Sequence, residues 1–595
     1  MHVGIAGKPS HSTLERIILA VFVVLFVANF ALHDSRGLAG HSDTFHYLIP
    51  AANLAEGHGY TYFGTPELIF PPGYGLAALP LHLAGFELVQ AGVIANVAFL
   101  LLTCLFAYLM CRFYVSRTFA LLAPLFLVSN AFIMGVTAVG ASTVAYMAAI
   151  SGAGYFVLRF IRQPRRNPHN LIVASAFGGW AMLTRPEGMG IAAALLGFLI
   201  LDLAIRQPSP RLSLKFAGQL ALYVFVYVAP LAAVYAPYAG FLSRHVGEFT
   251  LTTKAASNVV DGQVAMQEGE DNEFLRRDLY LLSIQTEAEA PTLGYDLRVA
   301  EVETSLREDI PRFLKNLAAY AKYLIGENIA VLAAVVLFVA ACAWRDGFRK
   351  PPIRLDRVSD LWEPIGFCLF MLSPVIPMAY FVSGSRFFTP HSAFVIIGAV
   401  VLLGWIFAGR PAAAQKADWR VLTFSVALPL ILLDGYWNIS IWRRASEIYP
   451  LQRASIALSA LAAERPVNVI SLRRPAVAMY YANGRRAPFA AKSACAAPRS
   501  SPDDIIDYMQ TKGLRYLLLD RTYMPTRPGV SPLWTCPPDS CPPALRLVLE
   551  ERGVYRIFEL SPMVASLPAS SATLSPAAAS RGNIFTVPFE GKDCR

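Results

Sequence analysis

Charged residues are scarce in this chain. Only 15% of its 595 residues are Asp, Glu, Lys or Arg, whereas 55% are hydrophobic and the mean hydropathy is +0.46. A soluble fold cannot bury so large an apolar share, which excludes the soluble enzymes and binding modules. The composition therefore predicts a mainly α-helical, polytopic membrane protein.

A cleavable signal sequence is also missing. The first apolar run, RIILAVFVVLFVANFAL, is too long for a signal-peptide core, and HDSRG follows it in place of a small-residue cleavage site. We interpret this run as a retained anchor and the first of about eleven segments that cross a membrane core of ~30 Å. The segments run approximately over residues 16–33, 90–111, 119–136, 142–160, 170–184, 188–203, 216–237, 322–343, 361–382, 389–408 and 420–437.

Basic residues are scarce in the short outer loops and concentrate in the alternate short loops. Loops rich in Lys and Arg stay cytoplasmic, so the net charge of +10 reports the topology and does not indicate nucleic-acid binding. If the N-terminus is cytoplasmic and the segments alternate, residues 34–89, residues 238–321 and the chain after about 438 face outward. The cytoplasmic loops hold Arg112, Arg117, Arg159, Arg162, Arg165, Arg166, Arg206, Arg211, Lys215, Arg345, Arg349, Lys350, Arg354, Arg357, Arg410, Lys416 and Arg420.

The chain is predicted to have three parts. Residues 1–440 form a transmembrane module with outer loops 34–89 and 238–321, in which GQVAMQEGEDNEF is either a mobile lid or a solvated linker. Residues 441–562 form a small periplasmic α/β domain, because VNVIS, YLLLD and LRLVLEERGVYRIFEL read as strands and DDIIDYMQTKG as a helix. Residues 563–595 are rich in Ala, Ser and Pro and are predicted to be disordered.

No zinc-binding cysteine pattern is present. Four of the eight cysteines lie in or beside apolar segments, and the other four lie in the outer domain. Because the periplasm is oxidising, the short loop CPPDSC predicts a disulfide between Cys536 and Cys541. A second pair, Cys495 with Cys594, is a guess without support from spacing.

Asp43 follows the first apolar segment and begins the helical pattern TFHYLIPAANLAEG. One interpretation makes it only an N-terminal cap of that helix. The other makes it a general base at the outer membrane surface, with Tyr47 one turn later on the same face. The nearby His41, His46 and His58 match no familiar metal-ligand spacing, so we expect a metal-free site without cofactor.

Short outer segments contain very few arginines. Arg185 lies in LTRPEG, and Arg386 lies in SGSRFFTP. Each side chain either extends to the lipid headgroups or holds a phosphate with its bidentate guanidinium fork. Glu187, two residues after Arg185, is then a partner that orients it.

The first outer loop resembles that of the GT-C glycosyltransferases, in the branch with protein O-mannosyltransferases, aminoarabinose lipid A transferases and Rgt-type lipopolysaccharide transferases. The segments AMLTRPEG and SRFFTPHSAFVIIGAV resemble two further motifs of that family, and the resemblance extends over residues 15–440. The residues that carry the first motif are Asp43, Tyr47, Ala52, Leu54, Gly57, Pro71, Pro72 and Tyr74.

The chain departs from the family pattern at two places. VGASTVAYM has Ser142 and Thr143 where many relatives have an acid, and Phe70 stands where some relatives have Lys before the double proline. Asp43 is therefore the only well-placed acid in a short outer loop.

The resemblance implies an inverting, integral-membrane glycosyltransferase of the inner membrane. Its donor would be a polyprenyl-phosphate-linked sugar, and its acceptor an envelope glycan, lipid or protein. Asp43 would be the base, while Tyr47, Tyr74, Arg185, Glu187 and Arg386 would bind the substrate or the donor phosphate. Two alternatives stay open: a transporter or flippase of lipid-linked glycans, although internal repeats typical of transporters are not seen, and a non-catalytic glycolipid-binding protein of the same shape.

The charge pattern makes a topology prediction. Single cysteines introduced at positions 43, 280 and 520 should react with a membrane-impermeant maleimide added from outside, and cysteines at 165 and 352 should not, because Lys- and Arg-rich loops stay inside. Outside labelling of position 165 would contradict this topology.

Overall fold

The protein is described from a computed structural model. The described residues are 13–31, 42–62, 65–163, 166–205, 214–254, 306–345, 362–381, 385–408, 426–434, 449–462, 467–471, 475–483, 493–495, 501–521 and 528–561. The predicted lid or linker, the tail 563–595 and Cys594 lie outside them. The chain divides into two compact units, and each is treated by itself: the first comprises Met1–Ser35, Val93–Pro237 and Asp309–Arg444, the second Arg36–Gly92, Tyr238–Glu308 and Ala445–Arg595.

Helices coincide with the predicted apolar segments. In chain order, the helices that overlap or adjoin those segments are Thr13–Ala31, Leu88–Arg112, Arg117–Ala120, Leu122–Ser129, Ala131–Ala138, Ser142–Arg162, Pro168–Thr184, Gly188–Ile205, Leu214–Val246, Leu306–Glu327, Ile329–Arg345, Trp362–Leu372, Val375–Phe381, Ser385–Phe388 and Ser392–Ala408. Residues 426–434 are also helical. Most of the first unit is therefore a helical bundle.

The described part of the chain contains five helices that are long and apolar enough to cross a membrane. The number rises to seven if each of two bent helix pairs is one span. About eleven spans remain a prediction. The five are Leu88–Arg112, Ser142–Arg162, Gly188–Ile205, Phe216–Val246 and Thr389–Ile406.

Asparagine side chains explain where the two bent pairs break. The first pair bends by 56° at Asn130, whose side-chain oxygen accepts the N–H groups of Phe132 and Ile133 and so caps the new helix. The second pair bends by 70° beside Glu327. The Asn130 amide donates to the Glu327 carbonyl at 2.5 Å, so the two breaks are joined to each other. Polar groups that an unbroken helix would satisfy itself are satisfied here by a neighbour.

The first outer segment belongs to the second unit. It contains helix Ser42–Ala55, called the Asp43 helix below, and helix Gly73–Leu83. Between them, strands β1 (Thr61–Tyr62) and β2 (Thr65–Pro66) pair antiparallel. Helix Gly73–Leu83 begins directly after the double proline Pro71–Pro72.

The tail contains a five-stranded mixed sheet. The strands β3 (Val469–Ser471), β4 (Ser493–Cys495), β5 (Tyr516–Asp520), β6 (Leu545–Glu551) and β7 (Tyr555–Leu560) are arranged in the order β4-β3-β5-β7-β6. Strand β3 is parallel to β4 and β5, whereas β7 is antiparallel to β5 and β6. Helices Tyr449–Leu461, Pro475–Asn483 and Pro502–Lys512 accompany the sheet. The strands predicted from VNVIS, YLLLD and the final hairpin are present, and the exact limits 441–562 stay a prediction.

Two details of the tail bear on the predicted residues. Cys536 and Cys541 are joined by a disulfide, with their Cα atoms 5.4 Å apart. Asp520 is fully buried at the end of β5, so it is an unsuitable labelling position, and the exposed Asp539 replaces it in the topology experiment.

Close approach of two helices in the second unit makes a stability prediction. A Cβ atom added at Gly75 would lie 2.1 Å from the Tyr47 carbonyl oxygen and 2.8 Å from the Ala51 Cβ, and a backbone oxygen cannot rotate away. Gly75→Ala should therefore lower stability by about 1–3 kcal/mol or more. The measurement is thermal unfolding of the detergent-purified protein.

Gly240→Ala is the matched control, because an added Cβ there meets nothing within 4 Å. It lies within a helix, where Ala is favoured over Gly by about 1 kcal/mol, so its stability should be equal or higher. Equal melting temperatures for the two variants would show that the two helices do not approach this closely.

Candidate active site

Asp43 lies in the first turn of the Asp43 helix and is half-buried. A carboxylate in this position interacts favourably with the unsatisfied N–H groups and the positive end of the helix dipole. This interaction with the N-terminal end of the helix is present whether or not Asp43 also acts as a base. Tyr47 follows one turn later, as the sequence predicted, but its side chain is buried.

Tyr47 is the centre of an aromatic cluster in the second unit. The Phe70 and Tyr74 rings stand edge-on to it at centroid distances of 5.1 and 5.8 Å. The Lys254 ammonium lies 3.4 Å from the Tyr47 hydroxyl and 4.1 Å from the Phe70 ring centroid. Sequence reasoning missed Lys254, because a single Lys after a long helix has no motif around it.

Glu67 determines the shape of the turn before the double proline. One of its carboxylate oxygens accepts the N–H groups of Ile69 and Phe70 at 2.9 and 3.0 Å. The Phe70 carbonyl in turn accepts the Tyr60 hydroxyl at 2.7 Å. Burial raises the pKa of Tyr60 well above its ordinary value, so this hydroxyl remains a donor. Phe70 is thus held from both sides.

His46 fills the space behind this turn. Its Nδ1 atom is 3.1 Å from the second Glu67 oxygen, and its ring stacks on Tyr62 and Phe70 at 4.0 and 4.6 Å. Over the described ranges, no three His, Cys, Asp or Glu side chains are grouped to hold a metal ion. His41 lies outside those ranges, and the metal-free site stays a prediction.

Tyr74 has a packing role in this geometry. Its side chain is fully buried and its hydroxyl donates to the Gly92 carbonyl at 2.9 Å. Burial, and then the neighbouring Tyr47, raise the pKa of Tyr74 well above its ordinary value, so the hydroxyl stays protonated. These contacts favour packing over the predicted substrate contact.

A helix of the tail packs against the Asp43 helix. Phe45, two residues after Asp43, lies 4.5 Å from Tyr480 and 6.0 Å from Tyr481 between ring centroids. The Tyr480 hydroxyl also donates to Glu87 at 3.0 Å. The position of the Asp43 helix therefore depends on the tail as well as on the first outer segment.

Arg185 and Glu187 form a buried ion pair in the first unit. Helix Pro168–Thr184 ends where Arg185 takes an extended conformation, as expected for a residue before proline. Its Nε and Nη2 atoms lie 3.3 and 3.2 Å from the two oxygens of Glu187. The Arg185 Nη1 atom donates to the Thr143 hydroxyl at 3.2 Å. Glu187 therefore supplies a carboxylate beside the helix start that lacks an acid in the sequence VGASTVAYM.

The backbone after this pair turns tightly. A Cβ atom added at Gly188 would lie 2.5 Å from the Ala181 carbonyl carbon and the Met182 nitrogen, so only glycine fits against the preceding helix. This contact holds the pair at the end of helix Pro168–Thr184.

Two of the family-like motifs meet at Arg185. The centre of its guanidinium is 5.1 Å from the Phe387 ring centroid and 5.9 Å from that of Tyr146. Phe387 belongs to SRFFTP, whose first residues form helix Ser385–Phe388. Arg386 lies in that helix, and its side chain falls outside the described part. Asp43, Tyr47 and Tyr74 thus belong to the second unit, and Arg185, Glu187 and Arg386 to the first.

Glu327 is a buried acid that sequence reasoning did not identify. Its carboxylate is buried and accepts the hydroxyls of Thr389 and Ser392, each at 3.2 Å. These contacts tie the bend beside Glu327 to the start of the late span. A carboxylate at the end of a long amphipathic helix gave no sequence pattern that would identify it.

Comparison with known proteins gives a family-model match over part of the chain and a similar fold. Residues 71–233 match the family model described as dolichyl-phosphate-mannose-protein mannosyltransferase. The structure of ArnT from Cupriavidus metallidurans bound to undecaprenyl phosphate is similar over 94% of this chain and 100% of that chain, with 11% identity and a TM-score of 0.51. The apo oligosaccharyltransferase of Archaeoglobus fulgidus is similar over 85% of this chain and 69% of that chain, with 12% identity and a TM-score of 0.50.

A comparison with curated protein sequences finds no significant match. The identities to the solved structures are low, so they establish the fold alone. Together with the family model, they confirm the resemblance inferred from the first outer loop: residues 71–233 are similar to that mannosyltransferase family, and the fold of the chain is similar to those of ArnT and the oligosaccharyltransferase.

Proposed function

We propose that the protein is an integral-membrane glycosyltransferase that moves a sugar from a polyprenyl-phosphate donor to an extracytoplasmic lipid, polysaccharide or protein. The observation that carries the proposal is the match of residues 71–233 to a mannosyltransferase model on a GT-C fold. A similar fold is known with undecaprenyl phosphate bound, which supports a carrier of this chemical class. The cytoplasmic N-terminus and the periplasmic tail belong to the same proposal, because an external acceptor requires an external site.

The proposed reaction is a single displacement. An acceptor oxygen or nitrogen attacks the anomeric carbon, the bond from that carbon to the phosphate oxygen breaks, and the electron pair leaves with the phosphate. Asp43 takes the proton that the acceptor loses. Attack from the face opposite the leaving group inverts the anomeric carbon.

Arg185 is proposed to stabilise the negative charge of the departing phosphate, and Arg386 to do the same from its own helix. Glu187 and Thr143 act as positioning residues, because their contacts hold the Arg185 guanidinium in one orientation. A guanidinium that is already oriented needs no reorganisation when charge develops in the transition state.

The role of Asp43 makes an activity prediction. Asp43→Asn should lower sugar transfer by about 10²–10⁴-fold, because the amide cannot accept the proton. Yield and thermal stability should stay near those of the wild type, because Asn has the same shape and also begins helices well. The assay measures transfer in membranes that are supplied with a panel of radiolabelled undecaprenyl-phosphate sugars.

Asp503→Asn is its control, since Asp503 is exposed in the first turn of helix Pro502–Lys512. Its activity should be unchanged. A normal specific activity of Asp43→Asn would reject Asp43 as the base. Failure of the wild type to transfer any sugar would favour the non-catalytic glycolipid-binding alternative.

The phosphate role of Arg185 makes a second prediction. Arg185→Gln should lower kcat/KM for the donor by about 10- to 100-fold, because it removes charge-assisted hydrogen bonds to the departing phosphate. Arg185→Lys should recover part of this loss, because Lys keeps the charge without the bidentate fork. Initial rates are measured against donor concentration.

Arg185→Gln also leaves Glu187 as a buried charge without its partner, which by itself destabilises a protein. The double variant Arg185→Gln/Glu187→Gln removes both charges. It should regain thermal stability while its kcat/KM for the donor stays low. Recovery of both properties in the double variant would show that Arg185 serves only the fold.

A further inference from the structure

Lys254 is a buried cation in the second unit. Its side chain is only 3% exposed, although it lies in an outer segment of the chain. The ammonium is 4.1 Å from the Phe70 ring centroid and 5.7 Å from that of Tyr47, distances typical of cation–π contact. It is also within 3.4 Å of the Tyr47 hydroxyl. An ammonium group loses most of its hydration in such a place.

Several hydrogen bonds connect the residues of the cluster that holds this ammonium. The Leu68 carbonyl accepts the hydroxyl of Thr253, the residue just before Lys254, and also that of Tyr238 at 3.4 Å. Phe70, on which the ammonium rests, is held through the contacts of Glu67 and Tyr60 with its backbone. The chain around residue 254 is therefore attached to the turn before the double proline.

The same cluster includes Tyr47 of the Asp43 helix. Tyr47 joins the two features, because it lies one helical turn after Asp43 and directly contacts Lys254. A pre-positioned ammonium that contacts the Asp43 helix through Tyr47 is suited to an anion that must lie near the reacting carbon. Lys is a common phosphate ligand that acts as a point charge with three N–H donors.

We propose that Lys254 binds the phosphate of the lipid-linked donor and holds it near the Asp43 helix. The inference rests on the proposed function and deepens it by naming a donor-binding residue outside the motifs of the first outer loop. The phosphate of an acceptor lipid has the same chemistry, so the experiment has to distinguish the two sources. A purely structural role, in which Lys254 only supports Tyr47, is the other alternative to be tested.

The test compares binding of undecaprenyl phosphate and undecaprenol to the full chain in nanodiscs by native mass spectrometry. Lys254→Met should weaken undecaprenyl phosphate binding by about 10- to 100-fold and leave undecaprenol binding unchanged. Lys254→Arg should keep most of the affinity, because it keeps the charge. Lys322→Met removes one exposed lysine charge and should behave as the wild type. Lys254→Gln, which retains a polar end group, replaces Lys254→Met if that variant does not fold.

A second titration uses lipid A and dephosphorylated lipid A as acceptor-like probes. A loss confined to lipid A would overturn the donor assignment, and so would equal losses for undecaprenyl phosphate and undecaprenol, which would indicate a structural role. Unchanged binding of all four lipids would also overturn it. Carrier binding does not require sugar transfer, so the result is independent of the Asp43→Asn experiment: either proposal can fail while the other stands.

Discussion

The close approach of two helix backbones at Gly75 is the constraint on which the outer segment depends. Because residue 75 has no side chain, helix Gly73–Leu83 lies directly against the carbonyl of Tyr47. This contact fixes the orientation of the Asp43 helix and brings Tyr47 between Phe70 and Tyr74. The buried rings of Tyr47 and Phe70 then form the surface that the Lys254 ammonium contacts.

Charged residues are scarce in this protein, and the buried ones make specific contacts. Arg185 lies between Glu187, Thr143 and an aromatic ring in one unit, and His46 faces Glu67 in the other. Burying a charge is costly unless hydrogen bonds and opposite charges surround it. Groups of this kind are candidates for function, because a chain that is mostly apolar would otherwise keep its charges at the surface.

At both departures from the family pattern, a charged residue lies nearby in the folded chain. Phe70 replaces the Lys expected before the double proline, and the Lys254 ammonium lies over that same ring. Thr143 stands where an acid was expected, and Arg185 connects it to the carboxylate of Glu187. In both places, a residue from another segment brings a charged group next to the position that lacks one.

The sequence by itself determined the class of protein, the positions of most helices and the resemblance to a family. Hydropathy, proline and glycine positions and the motif around Asp43 are properties of neighbouring residues, so they can be read without a fold. The contacts of Tyr74, Glu327 and Lys254 were decided only by the tertiary structure. The Tyr74 hydroxyl donates a hydrogen bond to the Gly92 carbonyl. The Lys254 ammonium contacts the Tyr47 hydroxyl, although the two residues are more than two hundred positions apart in the sequence. Such contacts depend on how helices pack, because no local periodicity relates residues so distant in sequence.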